Sequence, residues 1–274
     1  MSAHFYYVQA MNKNFLHRLQ LKDKLLGVIV PILVLGAWQY SVSQKLCSEL
    51  ILIPPLTLLK TLVELAQSGD LTLNILASLK RVLIGFLLGG TSGFVIGIFM
   101  ALSPFLNRIF GPVIKALQQV PEFAWMPLII MFLGIDEFAK FFFVAIGAFY
   151  PMVFNTYQGV SGVPEKYHEL ARVFEYKSFR YLAKVIIPGA LPSIITGIRL
   201  SLGLSWMFVV GAELFGSDSG VGYLMTWGRS VFQIDLVMAG LVLVGVIGFF
   251  MNVILEIAEK QFLLWREPVN GSHA

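Results

Sequence analysis

Long apolar runs, each close to the length of a membrane-crossing helix, constrain this chain more than any other feature. A helix needs roughly 20 consecutive apolar residues to cross the hydrocarbon core of a bilayer. Inside that core every backbone polar group must be satisfied internally, so only helices and closed barrels can cross. Runs near residues 24–43, 82–102, 112–133, 138–158, 190–211 and 236–258 meet the helical requirement. Charged residues make up 13 % of the chain, against about a quarter in soluble domains. The sequence therefore predicts an all-α integral membrane protein of about six transmembrane helices. The membrane domain covers 24–265, between a polar N-terminal tail, 1–23, and a short C-terminal tail, 266–274. Little of the 274 residues is left for a soluble catalytic domain.

The distribution of positive charge predicts an orientation. With the N-terminus inside, the inner segments hold 13 Lys and Arg residues and the outer segments hold 6. The excess of positive charge on cytoplasmic loops places both termini and residues 159–189 in the cytoplasm. Lys80 and Arg81 count among the outer charges in this reading. The single cysteine, Cys47, allows no internal disulfide and no cysteine-based metal cluster. The basic N-terminal stretch and the run after it resemble a signal peptide, but the run is too long and reads as an uncleaved first span.

Several segments carry structure beyond simple hydropathy. In "PPLTLLKTLVELAQSGD" the residues Leu58, Leu59, Leu62, Leu65 and Ala66 fall at helical spacing, which predicts a short amphipathic helix at the outer interface. In the second span Gly85, Gly89, Gly93 and Gly97 lie four apart, a smooth stripe along which another helix can approach closely. The third span is interrupted: Lys115, Gln118, Gln119, Pro121 and Glu122 lead into it, and Pro127 lies within it. Either the broken helix lines a cavity, or its polar half is an ordinary approach outside the membrane. Arg199 lies one or two turns into the fifth span. It faces a pore, or it snorkels to headgroups or bonds a neighbouring helix. Glu213 ends that span before the glycine-containing "GSDSGVGYL", which suits either a re-entrant turn or a plain loop.

Residues 164–188 are the most informative. Pro164 suits a first helical position, with Glu165 and Glu169 near the helix start. Tyr167, Leu170, Ala171 and Phe174 follow the i, i+3, i+4, i+7 pattern, opposite Glu165, Lys166, His168, Glu169 and Arg172. Ser178 can cap a second short helix, whose apolar stripe is Phe179, Leu182, Val185 and Ile186 and which Pro188 is expected to stop. Two short amphipathic helices joined by a bend would form a cytoplasmic knob able to fit a groove on a soluble partner. A solvated loop would expose these apolar stripes to no purpose.

The stretch from Glu169 to Pro188 resembles the cytoplasmic coupling motif of ABC importer permeases: Glu-Ala-Ala, three residues, Gly, nine residues, Ile-x-Leu-Pro. Here Glu169-Leu170-Ala171 takes the triplet, Glu175 stands at the glycine, and Val185-Ile186-Ile187-Pro188 closes it. A glycine there would make the bend with positive φ, which costs another residue about 1 kcal/mol. The bend is therefore expected to shift toward Tyr176-Lys177-Ser178. The resemblance extends over about 54–265 through "VPEFAWMPLIIMFLGIDEFAKFFFVAIGAFYPMVFNT", "IIPGALPSIITGIRLSLGLSW" and "GSDSGVGYL". It is nearest to the permeases for sulfonates, taurine, nitrate and bicarbonate, and within these to aliphatic-sulfonate permeases.

The resemblance implies a type I ABC importer permease-like core in a bacterial inner membrane. It implies a second permease copy, cytoplasmic ABC ATPase subunits that bind ATP and Mg, and an extracytoplasmic substrate-binding protein. The coupling residues it implies are Glu165, Tyr167, Glu169, Leu170, Ala171, Phe174, Glu175 and Pro188. Glu122, Arg199 and Glu213 are candidates along the translocation pathway, with Arg199 easing an anion through. The implied cargo is an aliphatic sulfonate or taurine; alternatives are nitrate, bicarbonate, another small organic anion or a pyrimidine precursor. The chain has no Walker A sequence, so it is expected to hold no cofactor and to hydrolyse nothing. An ion-coupled secondary transporter is disfavoured because few acidic residues lie at mid-membrane depth. A membrane enzyme is disfavoured because His4, His17, His168 and His273 form no His-x-x-Glu-His cluster, and no Gly-x-Ser-x-Gly elbow is present.

Overall fold

The computed structural model describes residues 29–30, 32–44 and 53–262 of the 274-residue chain. Cys47 and the two expected tails, 1–23 and 266–274, lie outside the described residues, as does part of the first expected span. The described residues form two compact units, one up to Glu64 and one from Leu65 onward. In the first lies the apolar helix α1, Ile32–Ser43, and the Trp38 indole N–H donates to the Ile53 carbonyl at 3.0 Å. Helix α2, Pro55–Ser68, is the expected amphipathic helix. Leu58, Thr61 and Leu65 form its buried stripe, whereas Leu59 and Ala66 of the expected face are exposed.

Among its described residues, the regular elements of the second unit are all helical. Its elements are α3 (Asp70–Leu102), α4 (Pro104–Gln118), a 3₁₀ turn (Glu122–Trp125), α5 (Met126–Leu133), α6 (Glu137–Ser161), α7 (Glu165–Val173), α8 (Ser178–Tyr181), a π-helical turn (Leu182–Ile186), α9 (Ile187–Phe215), α10 (Val221–Ser230) and α11 (Ile234–Phe262). Among the described residues, four stretches are long and apolar enough to cross a membrane: Asp70–Leu102, Glu137–Ser161, Phe179–Phe215 and Ile234–Gln261. The α4 and α5 regions together make a fifth candidate, bent by 93°. The interruption expected in the third span is therefore real. Ser103 caps α4 by accepting from the Leu106 N–H, and the chain turns at Gln119–Pro121 because proline cannot continue the helix.

Helices α3, α6 and α9 form the centre. The glycine stripe of α3 faces α6: a Cβ on Gly89 would overlap the Ala145 carbonyl oxygen, and one on Gly93 would meet the Phe149 carbonyl oxygen at 2.6 Å. In lipid, where helices gain no hydrophobic drive from pairing, such close backbone packing supplies the association. One apolar cluster joins Val82, Met126, Phe143, Val144, Trp206 and Val209. Phe123 inserts the broken span into it, with ring centroids 5.6 Å from both Phe143 and Phe208. A second cluster gathers Ile98, Met152, Val160, Val163, Ile186 and Ala190 at the other end of these helices.

Next to the first cluster lies a buried ionic network. Asn74, Ser78 and Arg81 occupy one face of α3 and are all buried. The Arg81 guanidinium donates through Nη1 to Glu213 of α9 at 2.8 Å, and through Nε and Nη2 to both oxygens of Glu137 at 2.9 and 2.6 Å. It also reaches the Ser219 carbonyl and hydroxyl oxygens at 2.6 and 2.9 Å. Lys140 donates to Glu137 at 2.9 Å. Three successive backbone N–H groups at the start of α10 are held by the same residues: Gly220 by Asn74, Val221 by Ser78 and Gly222 by Glu213. Arg81 is therefore a buried crosslink within the helix bundle rather than the outer-loop charge expected from the sequence.

Two stability experiments probe this packing. Gly89→Leu is expected to lower stability by about 3 kcal/mol or more, since a backbone carbonyl cannot move aside as a side chain can. Gly203→Ala, where no atom lies within 4 Å of the added Cβ, is expected to be neutral or slightly stabilising. Arg81→Met strands the buried Glu213 carboxylate and is expected to cost about 3–5 kcal/mol. Adding Glu213→Gln should recover part of that loss, because the amide oxygen still accepts from Ser78 and Gly222. Thermal unfolding of the detergent-solubilised protein checks both; equal stability of the Arg81→Met single and double variants contradicts the charge account.

Candidate functional site

Helix α7 starts after Pro164, whose extended backbone occupies the N-cap position, one residue earlier than expected. Glu165 lies in the first turn and Arg172 in the last, matching the helix dipole. The helix ends in a Schellman arrangement: the Tyr176 N–H donates to the Ala171 carbonyl at 3.1 Å and the Glu175 N–H to the Arg172 carbonyl at 3.0 Å. This motif places the donor of the inner bond, the first residue past the helix cap, in the left-handed region. That residue is Glu175, with φ +52°. The bend has not shifted toward Tyr176–Ser178 as expected. Two backbone bonds and the stacking of Phe174 on Tyr176, with centroids 5.8 Å apart, hold it where the motif glycine would stand, against a cost of about 1–2 kcal/mol for a side chain there.

The apolar face of α7 divides. Ala171 turns inward and is 4 % exposed. Leu170 at 51 % and Phe174 at 60 % remain open, as do Tyr167 and Val173. Glu165, Glu169 and Arg172 are exposed on the polar side, with Arg172 3.4 Å from Glu165, a surface pair worth little. Tyr167, Leu170 and Phe174 form one wall of a groove of about 920 Å³, and Val185, Pro188 and Pro192 form part of the other. Of the residues expected to couple, Tyr167, Leu170, Ala171, Phe174 and Pro188 are thus brought together on one surface, whereas Glu165, Glu169 and Glu175 do not line it.

Pro188 does not stop the second helix. The chain runs helically from Phe179 to Phe215, because a π-helical turn at Leu182–Ile186 precedes the proline. In that turn the Ile187 N–H reaches back five residues to the Leu182 carbonyl. The wider turn and a position in the first turn of α9 remove the need for the N–H that proline lacks. Of the expected apolar stripe, Ile186 is buried and Leu182 and Val185 are half-buried, but Phe179 is exposed.

The three residues expected along a pathway are not in contact with one another. Glu122 opens the 3₁₀ turn and is half-buried. Arg199 bonds α11, donating to Glu259 at 3.0 Å and to Asn252 at 3.1 Å, which is the helix-bonding alternative left open by the sequence. Glu213 is 1 % exposed and accepts from Ser78, Arg81 and Gly222. Sequence reasoning misses its partners on α3, although Asn74, Ser78 and Arg81 at i, i+4 and i+7 form a polar stripe on an apolar helix. It also misses the role of His168 in joining α7 to the rest of the unit. The His168 ring contacts the Tyr181 hydroxyl through Nδ1 and the Val163 carbonyl through Nε2.

The arrangement has counterparts among known proteins. The chain is 38 % identical over 245 residues to the putative aliphatic sulfonates transport permease protein SsuC of Bacillus subtilis, covering 89 % of each chain. It is 30 % identical over 241 residues to the taurine transport system permease protein TauC of Escherichia coli, covering 86 % of this chain and 88 % of the other. Its fold matches the crystal structure of an amino acid ABC transporter with a TM-score of 0.58 over 73 % of this chain and 97 % of that one, at 16 % identity. Residues 93–263 match the family described as binding-protein-dependent transport system inner membrane component. With most of its length inside that match, the chain belongs to the binding-protein-dependent transport system inner membrane components.

Proposed function

We propose that this chain is the transmembrane permease subunit of an ATP-driven importer for aliphatic sulfonates or taurine, and that the α7 surface is where a cytoplasmic ABC ATPase subunit docks. One observation carries the reading: Tyr167, Leu170 and Phe174 line an open groove beside the Leu182–Ile186 turn. Exposed apolar patches of this kind serve partner recognition, and an amphipathic helix seated in a partner's groove is a recurrent mode. The spacing from Glu169 to Pro188 supports the same assignment, with Glu169 and Glu165 at the rim and Glu175 and Pro188 setting the shape.

In this reading ATP and Mg bind to the ATPase, and the permease itself carries no cofactor and catalyses no reaction. A second permease copy completes the translocation path, an extracytoplasmic binding protein delivers the substrate, and both termini face the cytoplasm of a bacterial cell. Arg199, together with Glu122 and Glu213, is the proposed set along the path, with Arg199 as the cation that eases an anion past. The sulfonate assignment is supported by the names of the relatives, and transport selectivity is shared with the binding protein.

Replacing both Leu170 and Phe174 by Asp is expected to weaken retention of the ATPase subunit by more than about 30-fold, as for loss of interface hot spots. Thermal stability should fall by no more than about 1–2 kcal/mol, because both side chains are exposed and only the stacking of Phe174 on Tyr176 is lost. A complex that survives on affinity purification rules out docking at this surface. For the substrate, a deletion strain is expected to grow normally on sulfate and to fail on ethanesulfonate or taurine as sole sulfur source. Normal growth there, with a defect on limiting nitrate or bicarbonate, would move the assignment to those anions.

A further inference from the structure

Helix α7 is joined to the body of the second unit by few side chains. Ala171 is its buried residue, whereas Tyr167, Leu170, Val173 and Phe174 face outward. His168 makes the polar link. Its Nε2 lies 3.2 Å from the Val163 carbonyl, just beyond the end of α6, and its Nδ1 is bonded to the Tyr181 hydroxyl at the end of α8. A carbonyl can only accept, so Nε2 carries a proton, while Nδ1 is bonded to the Tyr181 hydroxyl. One imidazole thus bridges the end of α6, α7 and the base of the long helix ending at Phe215.

The segment after Tyr181 is unlike the rest of that helix. Leu182–Ile186 is π-helical and Pro188 supplies no N–H, so the α-helical ladder is interrupted between Tyr181 and the membrane-spanning part of α9. Such interruptions mark places where a helix can bend. Tyr181 and Leu182 nevertheless pack against the cluster that contains Val160, Val163, Ile186, Ala190 and Ile194. A displacement of Tyr181 therefore acts directly on the packing between α6 and α9.

We propose that His168 is the positioning residue that passes movement of α7 to the base of α9, by holding Tyr181 and the Val163 carbonyl together above the π-helical turn. The proposal rests on the reading of α7 as the ATPase-docking surface. It assigns His168 to the transmission of movement and leaves the docking contact to Tyr167, Leu170 and Phe174.

The test uses the full-length permease with its ATPase subunit in lipid nanodiscs. Spin labels are placed through Leu88→Cys on α3 and Leu200→Cys on α9, both exposed positions, in a Cys47→Ser background. The distance between the labels is read without nucleotide and after trapping with Mg, ATP and vanadate. The unsubstituted complex is expected to shift on trapping. In His168→Phe, and in Tyr181→Phe, which removes one hydroxyl only, the shifted fraction should fall about two- to tenfold, the range spanned by a single hydrogen bond. The ATPase subunit should be retained in both variants, and His168→Gln, which keeps one donor and one acceptor, should lie between them and the unsubstituted protein. A full shift in both variants overturns the proposal. So does loss of the ATPase from either, which would make His168 or Tyr181 a docking residue. No shift in the unsubstituted complex also overturns it, since α9 would then not move against α3. Failure of the unsubstituted permease to retain any ATPase is seen before position 168 is altered, and it overturns the docking reading along with the proposal.

Discussion

The close approach of α3 to α6 is the constraint on which the arrangement of the second unit depends. At Gly89 the backbone of one helix lies so near that of the other that an added Cβ would overlap the Ala145 carbonyl oxygen. No larger residue fits without parting the helices, and parting them would open the cluster of Val82, Phe143, Val144 and Val209. Because lipid is as apolar as a leucine side chain, packing of this kind rather than exclusion of water holds the bundle together. Helix α9 then packs against the same pair: Phe208 lies directly over Gly147, and the Ser201 hydroxyl donates to the Ala148 carbonyl at 2.8 Å.

The ionic network around Arg81 adds specificity to this packing. A buried ion pair gains little against a hydrophobic replacement of the same shape, yet leaving one partner alone is costly. Arg81, Glu213 and Glu137 lie on α3, α9 and α6, and the two glutamates share one guanidinium. Sliding any of these helices by a turn would strand a charge. Glu213, with Asn74 and Ser78 of α3, also takes the first N–H groups of α10, which a helix leaves without internal partners. Thus Asn74, Ser78 and Glu213 serve as caps supplied from other helices.

At the other end of α6 and α9 the construction is looser. Helix α7 is short, exposes its large apolar residues, and is held mainly by Ala171 and His168. Glu175 accepts a left-handed backbone where glycine would be unstrained. A short helix on a strained bend, leading into a π-helical turn, is suited to a surface that binds and moves, just as close glycine packing is suited to a frame that does not.

Much of this was legible in the sequence, and the boundary has a physical basis. The apolar runs, the glycine stripe, the break near Pro121 and the two amphipathic faces within 164–188 are local properties of period and composition, which act before any tertiary contact forms. The membrane class and the amphipathic character of 164–188 were determined by the sequence alone for that reason, while the family was indicated by the resemblance of its motifs. The network was different: Arg81 and Glu213 are 132 residues apart, and a lone arginine at the edge of an apolar run reads equally well as a loop charge. Pro188 reads as a helix stop, because the rule for proline presumes an α-helical ladder and the π-helical turn before it removes the missing partner. Glu175 reads as a reason to move the bend, because the cost of its φ is local while the two bonds that fix it come with the end of α7. Which helix the glycines meet, which charge is buried, and whether a strained residue or a proline is tolerated were decided only by the tertiary structure, because each depends on a partner that chain-local patterns do not specify.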